Sequence, residues 1–231
     1  MRERGDFYCF HEPFLHYYYL QRAEKTFPHF RVNPEHPVSY ADTRDMILAR
    51  AAKSPVFVKD MSYYVIPELL EDVAFCRRVR HCFLIRHPQR SILSYYKLDN
   101  GISCDEIGLE AQWQHFEGLR HLGINDNIVL EAETIQVYPE TSLQRFWSAL
   151  GLEHREQALQ WQQREIPPDW RYVEGWHTSV SDSSGIRPEN IDADSLSAEF
   201  DQMCRKAPHL RGYLQHHLRF FQQLQRHSLY Q

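Results

Sequence analysis

The stretch VRHCFLIRHPQRSILSYYK, residues 79–97, joins a strand-like apolar run directly to a helix-like pattern. The apolar run ends at Ile85 and is followed by Arg86 and a short turn. Pro88 stands in the first turn of the predicted helix, where its missing N–H costs no hydrogen bond. A strand that leads through a tight turn into a helix indicates an α/β fold.

Positive charge is concentrated in the same part of the chain. From Arg77 to Lys97 there are six lysines or arginines and no acidic residue, although the whole chain has a formal net charge of -5. The planar guanidinium of Arg86 can bind a phosphate through two hydrogen bonds, and Ser94 can return beside it after two helical turns. We therefore predict an anion site at Arg86 and Ser94. The alternative is an ordinary buried strand with an arginine at its solvent end.

An arginine two residues before a proline, a serine eight residues after the arginine, and then aromatic residues form a recognisable pattern. It resembles the 3′-phosphate-binding segment of sulfotransferases that use 3′-phosphoadenosine 5′-phosphosulfate (PAPS), of the bacterial type. The resemblance implies that Arg86 and Ser94 hold the 3′-phosphate of PAPS. Trp176, His177 and Ser184 lie in a predicted late loop and are expected to close over the nucleotide.

Short apolar runs alternate with helical patterns in the first two thirds of the chain, which predicts βαβ units and a parallel sheet. With the resemblance, the expected fold is a P-loop NTPase-like parallel sheet flanked by helices, with a helical C-terminal extension. The predicted strands are residues 7–10, 56–59, 81–85 and 127–130, and the predicted helices are 43–53, 67–76, 88–98, 105–122 and 143–150.

The length of 231 residues fits one domain. We predict a single sulfotransferase-like domain over residues 1–231. Its parts are an α/β core over 1–165, a loop region over 166–194 and C-terminal helices over 195–231.

Residues that can carry chemistry follow two of the predicted strands, where parallel α/β folds bind ligands. Glu12 follows the first strand, at the place of the glutamate base of bacterial and Golgi-type sulfotransferases, and can take a proton from an acceptor hydroxyl. The other reading of Glu12 is a helix-capping or ion-pairing residue. Lys59 ends the second strand and can neutralise charge that builds up during transfer. Cytosolic sulfotransferases carry a histidine two residues further on, but Met61 stands there, which favours Glu12 as the base with Asp60 as the substitute.

One family feature is absent from the sequence. PAPS-dependent enzymes hold the 5′-phosphosulfate with a P-R-S-x-S/T loop between the first strand and the first helix. The chain contains no such motif, and MRERGDF resembles the end of the helix that follows the loop. The donor-loop strand is therefore expected to be missing, through a start assigned too late or through a real truncation.

Composition excludes several other classes. The modest negative charge argues against nucleic-acid binding, and no apolar run approaches the roughly 20 residues of a membrane span. Five scattered cysteines indicate a reducing cytoplasm and neither a disulfide framework nor a zinc site. The fourteen histidines are dispersed, and His216 and His217 lie in a helix that looks solvated, so we predict no metal site.

Three functions follow from these observations. The favoured one is transfer of a sulfonate group from PAPS, as co-substrate, to a hydroxyl or amine of a small acceptor, weak or absent in this short form. The second is a non-catalytic nucleotide-binding or interaction protein on the same scaffold. The third, a small-molecule kinase, lacks the lysine-bearing glycine loop that it requires.

Overall fold

A computed structural model describes residues 1–23, 28–161, 167, 170–176, 183–186 and 193–230. Its strands are β1 (Tyr8–His11), β2 (Val56–Lys59), β3 (Cys82–Ile85) and β4 (Ile128–Glu131). In the described residues β1 pairs with β2 and β3 pairs with β4, both in parallel, as two two-stranded sheets. The fold is therefore a mixed α/β fold with small parallel sheets.

Helices follow or precede every strand. The α-helices are α1 (Leu15–Tyr17), α2 (Tyr40–Ala51), α3 (Ser62–Val65), α4 (Glu68–Glu71), α5 (Val73–Cys76), α6 (Pro88–Leu98), α7 (Leu109–His121), α8 (Ala132–Val137), α9 (Pro139–Ala149), α10 (Ala193–Lys206) and α11 (Leu210–Gln225). A π-helical turn, Tyr18–Arg22, continues α1, and the 3-10 segments are Arg2–Arg4, Asp105–Ile107, Glu156–Leu159 and Glu174–Trp176. No helix within the described ranges is both long and apolar enough to cross a membrane.

The chain divides into two compact units. Unit 1 comprises Met1–Phe75 and Arg155–Ile186, and unit 2 comprises Cys76–His154 and Arg187–Gln231. Unit 1 contains β1 and β2, and unit 2 contains β3 and β4. The single domain over 1–231 stays a prediction, and most of the predicted loop region 166–194 lies outside the described residues.

Each unit has its own apolar core. In unit 1, Phe14, Tyr19, Ile47 and Tyr64 are buried. In unit 2, α6 packs against the C-terminal helices through a cluster of apolar side chains: Ile92, Leu93, Ile102, Leu196, Phe200, Cys204, Ala207 and Leu210. The C-terminal helices are thus part of the unit that contains β3 and α6.

The structure matches most of the predicted elements. The strand Val56–Lys59 and the helix Pro88–Leu98 have the predicted bounds, and the other three strands differ by one residue at one or both ends. The predicted pair of C-terminal helices is present as α10 and α11. Gly151, with φ of 70°, follows α9 as its C-terminal cap.

Two predicted helices are wrong as single elements. The helix over 67–76 is broken at Asp72, whose Oδ1 accepts a hydrogen bond from the backbone N–H of Phe75 at 3.0 Å and so caps α5. The helix over 105–122 is broken at Gly108, which has φ of 81° between the 3-10 segment Asp105–Ile107 and α7. In both places a local turn replaces continued α-helical hydrogen bonding.

Candidate functional site

Glu12 is held at the end of the first sheet by backbone hydrogen bonding. The residue follows β1, and its N–H donates to the carbonyl oxygen of Lys59 at 2.6 Å, one position beyond the last β1–β2 partners. Its backbone φ is 47° and the residue is 8% exposed. The parallel pairing of β1 with β2 therefore places Glu12 and Lys59 together at the carboxyl ends of both strands, as predicted for strand-end residues.

The Glu12 carboxylate is surrounded by polar side chains. The Lys59 ammonium donates a hydrogen bond to Oε1, and the Tyr64 hydroxyl donates to Oε2 at 3.3 Å. Nε2 of His11 lies 3.8 Å from Oε1. The lysine side chain is 41% exposed whereas that of Glu12 is 9% exposed, so the ammonium reaches from water to a buried carboxylate. This arrangement can accept a proton at Glu12 and offers positive charge beside it.

Asp60 has a different environment from Glu12. Its Oδ2 accepts a hydrogen bond from the backbone N–H of Phe14 at 3.0 Å, and its Oδ1 accepts one from the N–H of Met61 at 2.9 Å. Loss of hydration, together with the smaller effect of the nearby Glu12, raises the pKa of Asp60 to about 8 against the opposing effect of those two donors. The side chain thus ties β2 to the segment that follows Glu12.

Tyrosines pack around Tyr64. The Tyr18 ring stacks on the Tyr64 ring at a centroid distance of 4.9 Å, and the Tyr63 ring packs edge-on at 4.8 Å. Tyr63 and Tyr64 are buried, so this group supports the Tyr64 hydroxyl that reaches Glu12. On the other side of Glu12 in the chain, the His11 ring lies 4.9 Å from the Trp170 ring.

The predicted anion-binding residues lie in unit 2, at the carboxyl end of β3. Arg86 directly follows β3 and is half-buried, and Ser94 lies on the exposed side of α6, away from the buried Ile92 and Leu93. Arg90 is on the same helix, one turn before Ser94. The strand-to-helix junction is therefore formed as the sequence predicts.

A carboxylate from the neighbouring strand end also lies at this junction. Glu133 follows β4 and accepts a hydrogen bond from the backbone N–H of His87 at 3.0 Å through Oε1, which lies 3.9 Å from Nε of Arg90. The sequence analysis gave Glu133 no part in the anion site. The signal was its position, because neighbouring parallel strands end at the same edge of a sheet.

The prediction that positive charge is concentrated at this junction is wrong on two points. Arg77 and Arg80 precede β3 and lie at its amino end, where Arg77 donates to the carbonyl oxygen of Leu122 at 2.7 Å and Arg80 pairs with Asp126 at 2.6 Å. The basic residues are therefore divided between the two ends of the strand instead of being concentrated at one junction. Moreover, Glu133 supplies the acidic group that the local sequence lacks.

Trp176 and Ser184 belong to unit 1, which also holds Glu12 and Lys59. The indole N–H of Trp176 donates to the carbonyl oxygen of Pro28 at 2.8 Å. The Ser184 carbonyl oxygen accepts from the backbone N–H of Trp161 at 3.0 Å. His177, predicted to act with them, lies outside the described residues.

The structure is therefore that of an α/β protein with a carboxylate–ammonium pair at the ends of two parallel strands. Comparison with known families is consistent with that class. The chain belongs to the family of the sulfotransferase domain, which matches residues 1–199. The resemblance to sulfotransferases is thereby confirmed, and the family indicates transfer of a sulfonate group.

One protein with a similar sequence comes from Arabidopsis thaliana and is named "Branched-chain-amino-acid aminotransferase-like protein 1". It is 25% identical over 177 residues, which are 75% of this chain and 31% of that protein. The chain thus spans about a third of the length of this relative. No solved structure matches the chain.

Proposed function

We propose that this protein is a PAPS-dependent sulfotransferase of the bacterial type, which transfers a sulfonate group to a hydroxyl or amine of a small acceptor. The observation that carries the proposal is the buried Glu12 carboxylate, which accepts hydrogen bonds from Lys59 and Tyr64 at the strand ends of a sulfotransferase domain. A base and a cation side by side are what proton removal and charge neutralisation in this reaction require.

The proposed reaction is an in-line displacement at sulfur. The acceptor oxygen or nitrogen forms a bond to sulfur while the bond from sulfur to the 5′-phosphate oxygen breaks. Glu12 takes the proton that the acceptor loses, and adenosine 3′,5′-bisphosphate leaves with the electron pair of the broken bond. Lys59 stabilises negative charge on the transferring group. Asp60, with both oxygens bonded to backbone N–H groups, is proposed as a positioning residue for the Glu12 turn, and Glu12 remains the candidate base.

The 3′-phosphate of the donor is assigned to Arg86 and Ser94. Arg86 follows β3 and Ser94 is exposed on α6, so both remain candidates for an anion at the start of that helix. Trp176 and Ser184 are proposed to cover the nucleotide. We further propose a P-loop-like sheet, because both pairs of strands are parallel and each strand connects to helices.

The 5′-phosphosulfate has no assigned holder, because the sequence contains no P-R-S-x-S/T motif. Each charge-assisted hydrogen bond that such a loop makes contributes about 1.5–3 kcal/mol to donor binding. A cytoplasmic location is proposed because all five cysteines are free thiols, which suits a reducing compartment.

Binding of adenosine 3′,5′-bisphosphate, measured by calorimetry, tests the nucleotide site. We expect Arg86→Ala to abolish detectable binding and Ser94→Ala to weaken it about tenfold. Arg78→Ala is the matched control, since Arg78 is an exposed arginine before β3. Equal affinity of the Arg86→Ala variant and the wild type would remove Arg86 from the site.

A separate experiment tests the chemistry. With PAPS and a panel of phenols, alcohols and amines, Glu12→Gln is expected to bind adenosine 3′,5′-bisphosphate normally and to transfer no sulfonate. Glu35→Gln, at an exposed glutamate of the same unit, is the control. Transfer by the Glu12→Gln variant would exclude Glu12 as base. If the wild-type chain binds the bisphosphate but transfers nothing, the non-catalytic nucleotide-binding protein is favoured, and binding of ATP with Mg²⁺ would favour a kinase.

A further inference from the structure

A second group of reactive side chains lies in unit 2, away from the residues discussed so far. Cys104 precedes the 3-10 segment Asp105–Ile107, and His216 and His217 are adjacent on α11. One ligand atom from each of these residues lies within 4.8 Å of the others. The sulfur of Cys104 is 3.6 Å from Nε2 of His217. We call Cys104, His216 and His217 the thiol–imidazole cluster.

The distances in the thiol–imidazole cluster are close to those of a metal site. Zinc binds thiolate sulfur at about 2.3 Å and imidazole nitrogen at about 2.0–2.1 Å, so neighbouring ligand atoms of a tetrahedral site are roughly 3.3–3.6 Å apart. The pair formed by Cys104 and His217 already has this separation. The widest separation exceeds it by about 1 Å, which side-chain rotation of the partly exposed His216 can close.

His217 is the most informative member of the cluster. Its side chain is fully buried, in contrast to the solvated position expected from the sequence. Nε2 faces the cluster, 2.7 Å from the carbonyl oxygen of Cys104 and 3.6 Å from its sulfur, and Nδ1 has no hydrogen-bond partner among the described residues. Nε2 is the nitrogen that would bind the metal ion, in the tautomer that carries the ring proton on Nδ1. A neutral imidazole is the form that binds metal ions.

Carboxylate groups complete the surroundings. Oε2 of Glu110 lies 2.6 Å from Nε2 of His216, so a carboxylate is in place to orient this imidazole or to occupy a fourth position. The guanidinium of Arg219 contacts His216 at 3.5 Å but is exposed and can move away.

We propose that Cys104, His216 and His217, supported by Glu110, form a binding site for Zn²⁺. One sulfur, two imidazole nitrogens and a carboxylate or water make the four-coordinate set that this ion prefers. Binding releases the thiol proton of Cys104, which leaves to solvent as the thiolate forms the bond to the metal. The ion would fasten α11 to the segment before α7, so its role is structural and is independent of the proposed sulfonate transfer.

Metal titration of the chelator-treated, tag-free protein tests this inference. Co²⁺ is the spectroscopic probe, and one equivalent is expected to give a thiolate-to-cobalt charge-transfer band that Zn²⁺ abolishes. Cys104→Ser should remove the band and weaken Zn²⁺ binding at least tenfold in competition with a chromophoric chelator. His216→Gln should also weaken Zn²⁺ binding at least tenfold, and because His216 is partly exposed this variant is expected to fold.

Matched controls separate this site from the other cysteines and histidines. Cys82→Ser changes another partly buried cysteine of the same unit, and His209→Gln changes an exposed histidine just before α11. Both should bind Co²⁺ and Zn²⁺ like the wild type, and Zn²⁺ should raise the melting temperature of both. No charge-transfer band in the wild type, or a band that persists in Cys104→Ser, would overturn the proposal.

Discussion

Glu133 shows how a single residue can set the affinity of the predicted anion site. Its carboxylate lies 3.9 Å from Arg90 and accepts the N–H of His87, so negative charge of the protein already occupies the start of α6. A phosphate that binds at Arg86 has to approach this charge. Like charges at such a site oppose each other even when water screens them.

Glu133→Gln should therefore strengthen binding of adenosine 3′,5′-bisphosphate. Removal of one charge near a partly exposed site changes the binding free energy by about 0.5–1 kcal/mol, which corresponds to roughly two- to fivefold in the dissociation constant. Calorimetry provides the measurement. Glu140→Gln removes the same charge from an exposed position on α9 and should have little effect. An equal gain in both variants would indicate a change in net charge alone.

The protonation of Asp60 should make the free energy of unfolding depend on pH. Its pKa is raised from 3.8 to about 8, so between these values the folded protein holds a proton that the unfolded chain releases. The free energy of unfolding should consequently fall as pH rises through this window. In Asp60→Asn this decline should be absent, although the variant loses about 1–3 kcal/mol at pH 5 because the amide cannot accept both backbone donors.

Urea unfolding at pH values from 5 to 8 measures this difference. The gap in stability between the wild type and Asp60→Asn should narrow as pH rises. Asp45→Asn, at an exposed aspartate of the same unit, should keep the slope of the wild type. A constant gap across the range would mean that Asp60 is ionised throughout.

At the scale of elements, prediction from the sequence succeeded where local signals and burial agree. Val56–Lys59 and Pro88–Leu98 have the predicted bounds because an apolar run and a first-turn proline mark them independently of the rest of the fold. The helix over 67–76 was predicted too long because the local sequence does not show that Asp72 caps a new turn at Val73. A tertiary contact, the ion pair of Asp72 with Arg44 at 3.0 Å, favours this conformation. The helix over 105–122 was likewise predicted too long, because Gly108 interrupts it.

The features of the site also divide into those that could be predicted from the sequence and those that could not. Glu12 and Lys59 could be predicted to lie together, since parallel pairing places successive strand ends side by side. The hydrogen bond from Tyr64 to Glu12 could not, because it depends on how α3 packs beside β1. The burial of His217 was also hidden, since α11 is polar in composition yet turns one face into the core of unit 2.

Two glycines on helices provide a paired test of backbone conformation. Gly151 ends α9 with φ of 70°, and the N–H of Leu152 donates to the carbonyl oxygen of Trp147 at 2.8 Å, as in a Schellman cap. Gly151→Ala should cost about 1 kcal/mol, since alanine is strained there. Gly212 lies within α11 and has open space around it, so Gly212→Ala should stabilise by about 0.5–1 kcal/mol.

Chemical unfolding of both alanine variants supplies the comparison. Opposite signs are expected although the side chains added are identical and neither meets another atom within 4 Å. If both substitutions stabilise the protein, the left-handed cap at Gly151 is not formed in solution.

The stability of the whole molecule should depend on its buried histidines. His16, His81, His115 and His217 are buried, and burial lowers the pKa of each, to about 4 for His16 and about 3 for His115. Below pH 6.5 the unfolded chain binds protons that the folded protein excludes. The free energy of unfolding should therefore fall as pH decreases from 6.5 towards 4.

His115→Gln isolates one of these contributions. Each net proton accounts for a slope of about 1.4 kcal/mol per pH unit, so this variant should lose stability less steeply in acid than the wild type. Lost packing alone would lower the stability of the variant by the same amount at every pH, and its slope would then equal that of the wild type. His121→Gln, at an exposed histidine of α7, should keep the slope of the wild type, as measured by urea unfolding between pH 4.5 and 6.5.

The backbone at position 12 has a consequence for directed evolution of this protein. A non-glycine residue with φ of 47° sits in a conformation that glycine or asparagine adopts with less cost. A library randomised at this codon and sorted only for resistance to heat or protease should therefore enrich those two residues. The same library sorted for turnover should return glutamate. The difference between the residues that the two selections enrich would measure how much stability the protein loses for activity at position 12.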